Sequence, residues 1–421
     1  MGGPRRRLAR VTRLAGLAPF RQKGFRRQFP ADIATSWGFE METLVLGWYI
    51  LVSTGSVVWL TAFASVQYLG TLVSPMFGVM GDRLGHRGVL CVMRGLYAVL
   101  ASVIGLMALT GTMTPVAVMA VAAVAGLVRP SDMGMRNALI AASVPAPQMP
   151  AAMGISRTTA DTARVMGALA GAGLVAALGI GATYAIVVLL YLISLMLTLA
   201  VPAVRRVAAA PASPLRELRD GFGHLRDTPP LMATILLAFL VNLLAYPVSG
   251  GLLPYVAREV YGVDRTVLGY LIACFAGGGL LGSLVMIGRG GVAFPGRVML
   301  VACAIWFPLL IAFAAVTDPR KGLVLMGLAG FVQSFALVPM SVILLRCAEE
   351  RFRGRVMGLR ILAVYGLPLG LLVAGPLIEW LGFTRTITLY AGLGLICTGA
   401  IALHWRRHLW PAEAPANTAL R

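Results

Sequence analysis

Charged residues are scarce in this sequence, and acidic residues are the scarcest. Only 12% of the 421 residues are charged, whereas soluble domains carry about 25%. The 36 Lys and Arg outnumber the 16 Asp and Glu, and the only lysines are Lys23 and Lys321. The hydrophobic fraction is 58%. A soluble fold would therefore need a core far larger than single domains build, so we expect a membrane protein.

Motifs for catalysis, metal binding and redox chemistry are also missing. The five cysteines are dispersed, with no CxxC or metal-ligand spacing. No phosphate-binding loop and no Gly-x-Ser-x-Gly sequence is present. We therefore expect no enzyme activity, no cofactor and no metal site. The formal charge of +20 lies in tails and in short segments between apolar runs, so we also expect no nucleic-acid partner.

Long apolar segments are what the sequence does contain. A membrane-spanning helix needs about 20 mostly apolar residues. The segments that meet this need predict an all-α, multi-pass membrane protein with twelve transmembrane helices in two six-helix bundles. The predicted spans are 29–54, 57–81, 87–110, 114–141, 150–178, 181–202, 231–257, 265–288, 296–317, 321–347, 355–381 and 384–405.

The placement of arginine predicts the orientation of these spans. Residues 1–30 hold nine Arg and Lys, whereas the turns near 55, 112 and 180 hold none. Because cytoplasmic segments carry the excess of Lys and Arg, both termini are predicted to be cytoplasmic. The polar segment between the sixth and seventh spans separates the two bundles. We predict a basic tail (1–28), an N-terminal bundle (29–202), a cytoplasmic linker (203–230), a C-terminal bundle (231–406) and a flexible tail (407–421).

Eight ionisable residues within the N-terminal spans are candidates for a function. Each charge costs about 2.5–3.5 kcal/mol to insert, and such residues usually pair or face a cavity. Four are negative and four positive, which predicts mutual compensation. The basic and acidic residues of spans 4 and 5 each follow helical spacing on one face, so the two faces are expected to interlock. The eight residues are Glu40, Glu42, Arg129, Asp132, Arg136, Arg157, Asp161 and Arg164.

Two interpretations of these charges remain open. They either hold the bundle together, which is favoured for Arg136 and Arg157, or they serve a cavity or gate. The cavity role is favoured for Arg129, Asp132 and Asp161, because these lie deeper in the spans. Arg164 completes the predicted proton-coupling set.

The two glutamates of span 1 cannot point the same way, because they lie about 200° apart on a helix. Glu40 belongs to a polar and small stripe with Ser36, Thr43 and Gly47, so it is preferred for the transport cavity, with Glu42 as the second candidate. A carboxylate in an apolar interior holds a proton more readily than one in water, which makes it a candidate proton carrier. The alternative is a static pair with an arginine such as Arg129.

The C-terminal half has few ionisable residues within its spans. Its main polar groups are Asn242 and Tyr246 in span 7, and Gln333 and Ser334 in span 10. Such single polar groups often form hydrogen bonds between helices. They are also the candidates for substrate contact, which would place substrate binding on this half and proton handling on the other.

The segment from Gly78 to Leu90 carries the strongest motif. It resembles the loop between helices 2 and 3 of major facilitator superfamily (MFS) transporters, with the pattern Gly-x-Leu-Ala-Asp-Arg-x-Gly-Arg-Lys-x-x-Leu. The resemblance implies two six-helix bundles that alternate access to a central cavity, and a cytoplasmic gate. The gate residues would be Gly78, Asp82, Arg83, Gly85 and Arg87, with Asp82 near the start of helix 11.

Within the superfamily, the chain is most similar to the drug:H+ antiporter-3 group. The segments Arg136-Asn-Ala-Leu139 and Arg353-Gly-Arg-Val-Met-Gly358 carry this likeness. The Gly-Pro-x-x-Gly-Gly element of antiporter helix 5 lacks its proline here, as Gly167-Ala-Leu-Ala-Gly171.

The resemblance predicts a secondary transporter, namely proton-coupled efflux of a small amphipathic molecule, drug-like or siderophore-like. The expected setting is a bacterial cytoplasmic (inner) membrane, with a monomeric protein whose partners are lipid, protons and the small-molecule substrate. An importer, a lipid flippase or an uncoupled facilitator on the same fold is the alternative. A non-transporting membrane receptor or assembly factor is an alternative of another class.

Overall fold

The computed structural model describes residues 18–202, 222–289, 292, 294–349 and 352–410. The predicted C-terminal tail lies almost wholly outside these residues, as do most of the predicted N-terminal tail and linker. All regular structure in the described part of the chain is helical, with no strand, which confirms the all-α prediction. The helices are α1 (Lys23–Thr54), α2 (Val57–Val66), α3 (Ser74–Leu84), α4 (His86–Leu109), α5 (Pro115–Ser143), α6 (Met149–Leu199), α7 (Pro229–Val260), α8 (Arg265–Gly288), α9 (Pro295–Ala315), α10 (Pro319–Cys347), α11 (Arg353–Ala363), α12 (Gly366–Leu381), α13 (Phe383–His404) and α14 (Arg406–Leu409).

Within the described residues, nine helical stretches are long and apolar enough to cross a membrane. One of them contains α6 and covers two predicted spans. Its backbone breaks at Gly179, whose φ of 79° and ψ of 175° favour glycine and agree with a turn between 178 and 181. The helix α1 is outside the nine, because Glu40 and Glu42 lower its hydropathy. The count of twelve spans and the cytoplasmic termini stay predictions.

The predicted span 57–81 is interrupted in the structure. It consists of α2, a short 3-10 helix at Leu69–Thr71 and the first part of α3. A close contact at Gly70 accompanies the interruption, because a Cβ added there would lie 2.1 Å from the carbonyl oxygen of Leu127. The chain approaches the backbone of α5 so closely at this point that only glycine fits. α7 also departs from regular α-helix, with π-helical turns at Val248–Leu252 and Val256–Val260.

The structure has two compact units. Unit 1 comprises residues 1–46 and 67–210, and therefore holds most of α1 and all of α3 to α6. An apolar cluster fixes the first turns of α1 in this unit. Phe25 packs with Ile140 of α5 and Ala152 of α6, and the rings of Phe20 and Phe29 join it at 5.2 and 6.2 Å. This packing sets the position of the charged residues further along α1.

Unit 2 comprises residues 47–66 and 211–421, so the last turns of α1 and all of α2 belong to it. Arg258 of α7 donates to the carbonyl of Leu51 at 2.6 Å, and Ser65 of α2 donates to the carbonyl of Pro368 at 3.1 Å. Unit 1 therefore lacks the segment 47–66 of the predicted bundle 29–202. The predicted domain boundaries stay a prediction.

Small residues allow close helix packing in unit 2. At Gly278 of α8, an added Cβ would lie 2.0 Å from the carbonyl oxygen of Gly327 in α10. At Gly330 of α10, it would lie 1.9 Å from the carbonyl oxygen of Phe275 in α8. The two helices therefore touch backbone to backbone, which is a common way for membrane helices to gain contact.

Candidate functional site

The centre of the candidate site is the carboxylate of Glu42, buried between three helices of unit 1. It forms an ion pair with Arg129 of α5 and accepts a hydrogen bond of 2.5 Å from the Tyr191 hydroxyl of α6. Arg129 also donates to the Gln67 side-chain oxygen at 2.9 Å and to the Thr43 hydroxyl at 3.3 Å. One guanidinium therefore links a buried carboxylate with two neutral polar groups. We call these five residues the Glu42 cluster.

Aromatic rings enclose the Glu42 cluster. The Arg129 guanidinium carbon lies 4.5 Å from the centre of the Phe39 ring. The edge of Tyr97 meets the same ring at 4.9 Å, and Tyr191 lies 5.7 Å from Tyr97. These rings keep the cluster largely dry, and interactions between charges are stronger in such an environment than in water. The face of Phe39 adds a favourable contact for the cation.

A second buried network lies on the N-terminal side of Glu42 along α1. Arg94 of α4 is completely buried, and it forms an ion pair with Asp32 and donates to the Thr198 hydroxyl of α6. Arg136 of α5 forms an ion pair with Asp132, and its Nε lies 3.7 Å from an Asp32 oxygen. We call these residues the Asp32 network. It joins α1, α4, α5 and α6 and balances two acids against two bases.

Two further ion pairs are exposed. The Nε of Arg164 lies 3.5 Å from a Glu40 oxygen, with the side chains 43% and 27% exposed. Arg157 donates to Asp161 at 3.1 Å, and its side chain is 67% exposed. Pairs as exposed as these contribute little where they contact water, about 0–1 kcal/mol each.

The predicted compensation of charge is therefore confirmed, because each of the eight residues has an opposite partner. The charged faces of α5 and α6 differ from the expected interlock, because the charged residues of α5 pair with residues of α1 and with one another. α6 does the same, through Glu40–Arg164 and Arg157–Asp161. The structure places Glu42, rather than the preferred Glu40, against Arg129. Gly167 explains this orientation, because it packs so tightly on Glu40 that an added Cβ would lie 2.8 Å from the Glu40 Cβ.

Sequence reasoning missed four residues of the site. Asp32 and Arg94 lie inside the predicted spans 29–54 and 87–110. The high cost of inserting a charge into a membrane therefore makes both of them candidates from the sequence alone. Gln67 and Tyr191 carry no such signal, since a single neutral polar group in a span is common. Their role follows only from the contacts with Arg129 and Glu42.

The predicted gate motif lies at the junction of α3 and α4. Gly85 ends α3 with a φ of 90°, which the turn requires. Arg83 is exposed in the last turn of α3, and Arg87 donates to the carbonyl of Leu199 at 2.6 Å. The side chain of Asp82 and the surroundings of Gly78 lie outside the description. The gate role of the motif stays a prediction.

The candidate substrate residues of unit 2 take part in hydrogen bonds. Gln333 of α10 donates to the Tyr246 hydroxyl of α7, and Ser334 donates to the carbonyl of Gly279 in α8 at 2.6 Å. Asn242 donates to the carbonyl of Ala238 in its own helix at 2.8 Å. The Trp306 ring lies edge-on to Tyr246 at 5.4 Å. An uncharged cluster, in which two aromatic rings meet an amide side chain, is therefore formed by Tyr246, Trp306 and Gln333.

No group of three or more His, Cys, Asp or Glu that could hold a metal occurs in the part of the chain that the structure describes. The side chains of the Glu42 cluster, namely a carboxylate, a guanidinium, an amide and two hydroxyl groups, can bind protons and polar groups.

Comparison with known proteins places this arrangement in a class. A sequence model of the family described as transmembrane secretion effector, MFS_3, matches residues 14–419. The bacterial homologue of the human lysosomal transporter Spinster, in an inward-facing, unoccupied conformation, superimposes with a TM-score of 0.72 at 14% identity over 91% of this chain and 98% of that one. The nucleoside transporter NupG gives 0.70 at 16% identity over 91% and 99%.

The protein is thus a multi-pass membrane transporter with the MFS fold, and not an enzyme. It belongs to the transmembrane secretion effector family. The multidrug efflux pump Tap of Mycobacterium tuberculosis H37Rv is 32% identical to it over 140 residues, which is 32% of each chain. The chain therefore matches about a third of the length of this curated relative.

Proposed function

We propose that the protein is a proton-coupled exporter of small amphipathic molecules, that it works by alternating access as a monomer, and that it resides in a bacterial cytoplasmic membrane. The observation that carries the proposal is the buried Glu42 cluster. A carboxylate that one arginine and one tyrosine hold in a dry interior can bind a proton and thereby lose its charge. A change of charge in that environment alters the interactions of the neighbouring helices.

The proton step involves few atoms. In the ionised state, Glu42 is held by the Arg129 guanidinium and by the Tyr191 O–H group. When a proton from water binds the carboxylate, a neutral carboxylic acid forms and Arg129 keeps both its proton and its charge. The ion pair is then weakened, while the hydrogen bonds of the guanidinium to Gln67 and Thr43 do not depend on the charge of Glu42. Protonation therefore changes which groups Arg129 holds.

Coupling to substrate follows from shared contacts. If a substrate favours the ionised form of the Glu42 cluster, then proton binding must weaken substrate binding by the same factor. Antiport needs this competition, because one site is then emptied of protons as it fills with substrate. In unit 2, Tyr246 is the partly exposed member of an uncharged cluster with the buried Gln333 and Trp306, and it combines an aromatic ring with a hydroxyl, which suits an amphipathic molecule.

The direction of transport is supported by family and relative. The matching family is described as transmembrane secretion effectors, and the partial relative Tap is a multidrug efflux pump. Both names favour export over import, flippase activity or uncoupled flux.

The test compares Glu42→Gln with the wild-type chain in sealed proteoliposomes that carry an imposed pH gradient. The probes are the fluorescent amphipathic dyes ethidium, Hoechst 33342 and rhodamine 6G. Glu259→Gln is the matched control, because Glu259 pairs with Arg258 near the end of α7, outside the proposed proton site. We expect Glu42→Gln to lose dye accumulation driven by the pH gradient, and the control to keep it.

A substrate-independent measurement accompanies the transport assay. Infrared difference spectra between high and low pH should contain a carboxylic acid C=O band that is absent from Glu42→Gln and present in Glu259→Gln. Gradient-driven transport in Glu42→Gln equal to that of the wild type, or an unchanged infrared band, would show that Glu42 is not the coupling group.

A further inference from the structure

Two arginines of α5 lie against one aromatic ring. The guanidinium carbons of Arg129 and Arg136 are 4.5 and 5.8 Å from the centre of Phe39. Asp132 lies between them along the helix, three residues after Arg129 and four before Arg136. Residues at these spacings share a helix face, so Asp132 is a candidate partner for both cations. At present Asp132 is paired with Arg136 only.

The hydrogen bonds of this group are incomplete. Within the described residues, the Oδ2 atom of Asp132 and the Nε atom of Arg129 have no hydrogen-bond partner, although both atoms are buried. Buried polar atoms are satisfied in the great majority of cases. One free acceptor and one free donor on neighbouring turns of α5 indicate a second possible pairing beside the one the structure contains.

We infer that Asp132 is a second partner for Arg129, which receives the guanidinium when Glu42 takes up its proton. The inference rests on the proton role proposed for Glu42 and adds the fate of the arginine. The side chain would turn about its own bonds along the ring of Phe39, without movement of the helix. Arg129 keeps its charge and its proton throughout, and the only bond formed is the O–H bond of Glu42.

The physical reason is the cost of an unpaired buried charge. Removing one partner of a buried ion pair is strongly destabilising, because the other charge is left without compensation. Protonation of Glu42 removes that partner chemically, so Arg129 needs another anion nearby. Asp132 supplies it at the shared face, while Arg136 keeps Asp32 and Ser36 as partners, at 3.7 and 2.8 Å. Asp132 is thus a positioning residue that makes protonation of Glu42 easier.

Other charged and titratable groups surround both carboxylates and enter the balance. Glu42 faces Arg129 from α5 and Tyr184 and Tyr191 from α6. Asp132 faces Arg136 on its own helix, Asp32 on α1 and Tyr97 on α4. The Tyr97 hydroxyl has no partner among the described residues and lies beside the path of the guanidinium. Asp32 stays engaged with Arg94 and is therefore not a competing acceptor.

A thermodynamic cycle in stability tests the inference without a substrate. Glu42→Gln mimics the protonated glutamate, so Arg129 should then depend on Asp132. We expect Asp132→Asn to lower Tm more in the Glu42→Gln background than in the wild-type chain. Two changes that act independently would lower Tm additively. Additive losses would overturn the inference and leave the transport test of Glu42→Gln unaffected.

Arg129→Gln supplies the second arm. Without the guanidinium, the coupling between positions 42 and 132 should vanish, and the chain with all three substitutions should be more stable than the one with Glu42→Gln and Asp132→Asn. A further outcome is that the double variant Glu42→Gln, Asp132→Asn fails to fold at all. In that case, recovery of folding on adding Arg129→Gln supports the inference, and no recovery contradicts it.

The pH dependence of transport provides a functional measurement. In Asp132→Asn, protonation of Glu42 would strand Arg129, so the pH midpoint of dye transport should move down by about one unit, as for a nearby unit charge. Asp132→Glu should restore the midpoint, because it keeps the carboxylate. A midpoint unchanged in Asp132→Asn would contradict the inference even where Glu42→Gln abolishes coupling.

Discussion

Unit 1 and unit 2 keep their helices together by different means. All five charged residues that are buried in the described part of the chain lie in unit 1, whereas the buried polar residues of unit 2 are uncharged. Unit 1 adds buried ion pairs to close backbone contact at glycine, whereas unit 2 uses single hydrogen bonds and backbone contact at glycine. Charge in a membrane interior is expensive, so its concentration in one unit points to a task beyond cohesion. In unit 2, cohesion alone suffices as an explanation.

The largest effect is expected from Arg94→Leu, which would break the Asp32 network of unit 1. Arg94 is fully buried, and its loss leaves Asp32 with only the distant Arg136. Stranding a buried carboxylate in this way should cost about 3–5 kcal/mol of stability. Thermal unfolding in detergent measures the loss. Adding Asp32→Asn should recover part of it, and a wild-type Tm for Arg94→Leu would show that the network contributes no net cohesion.

A smaller effect is expected in unit 2 from Gln333→Leu. This change removes the donor to the Tyr246 hydroxyl and leaves both helices otherwise packed. Hydrogen bonds between membrane helices contribute about 0.6 kcal/mol on average and at most about 1.7. The same unfolding assay should therefore detect a Tm decrease well below that of Arg94→Leu. If the decrease is equal, the contrast between the two units is wrong.

The smallest effect is expected from Arg164→Gln, within unit 1 but at its exposed edge. Arg164 and Glu40 are both partly exposed and their closest atoms are 3.5 Å apart, so the pair should contribute less than about 1 kcal/mol. Raising the salt concentration should lower this contribution further. A loss comparable with that of Arg94→Leu would mean that the Glu40 pair is as important as the buried charges.

Much of the fold could be predicted from sequence, because apolar length and arginine placement are local properties. The break at Gly179 also agrees with the predicted turn between two spans. The close contact at Gly70 could not be predicted, since it is made with the backbone of Leu127, which is remote in the chain. The grouping of residues 47–66 with unit 2 likewise depends on tertiary packing.

The candidate site could also be predicted from the sequence only in part. The balance of four acids and four bases predicted compensation, and all eight found partners. The choice between Glu40 and Glu42 was beyond the sequence, because both lie in one helix and either could face inward. Gly167 decided it by allowing α6 to pack against Glu40, which turns Glu42 toward Arg129 and Tyr191.

The sequence by itself determined that this chain is a helical membrane protein, that its first half carries the buried charge, and that it resembles the MFS. These properties depend on composition, on the length of apolar runs and on a continuous motif. Only the tertiary structure decided which acid meets which base, because pairing depends on the rotation of each helix about its axis. That rotation is set by contacts between residues far apart in the chain, such as Phe39 with Tyr97 and Gly167 with Glu40.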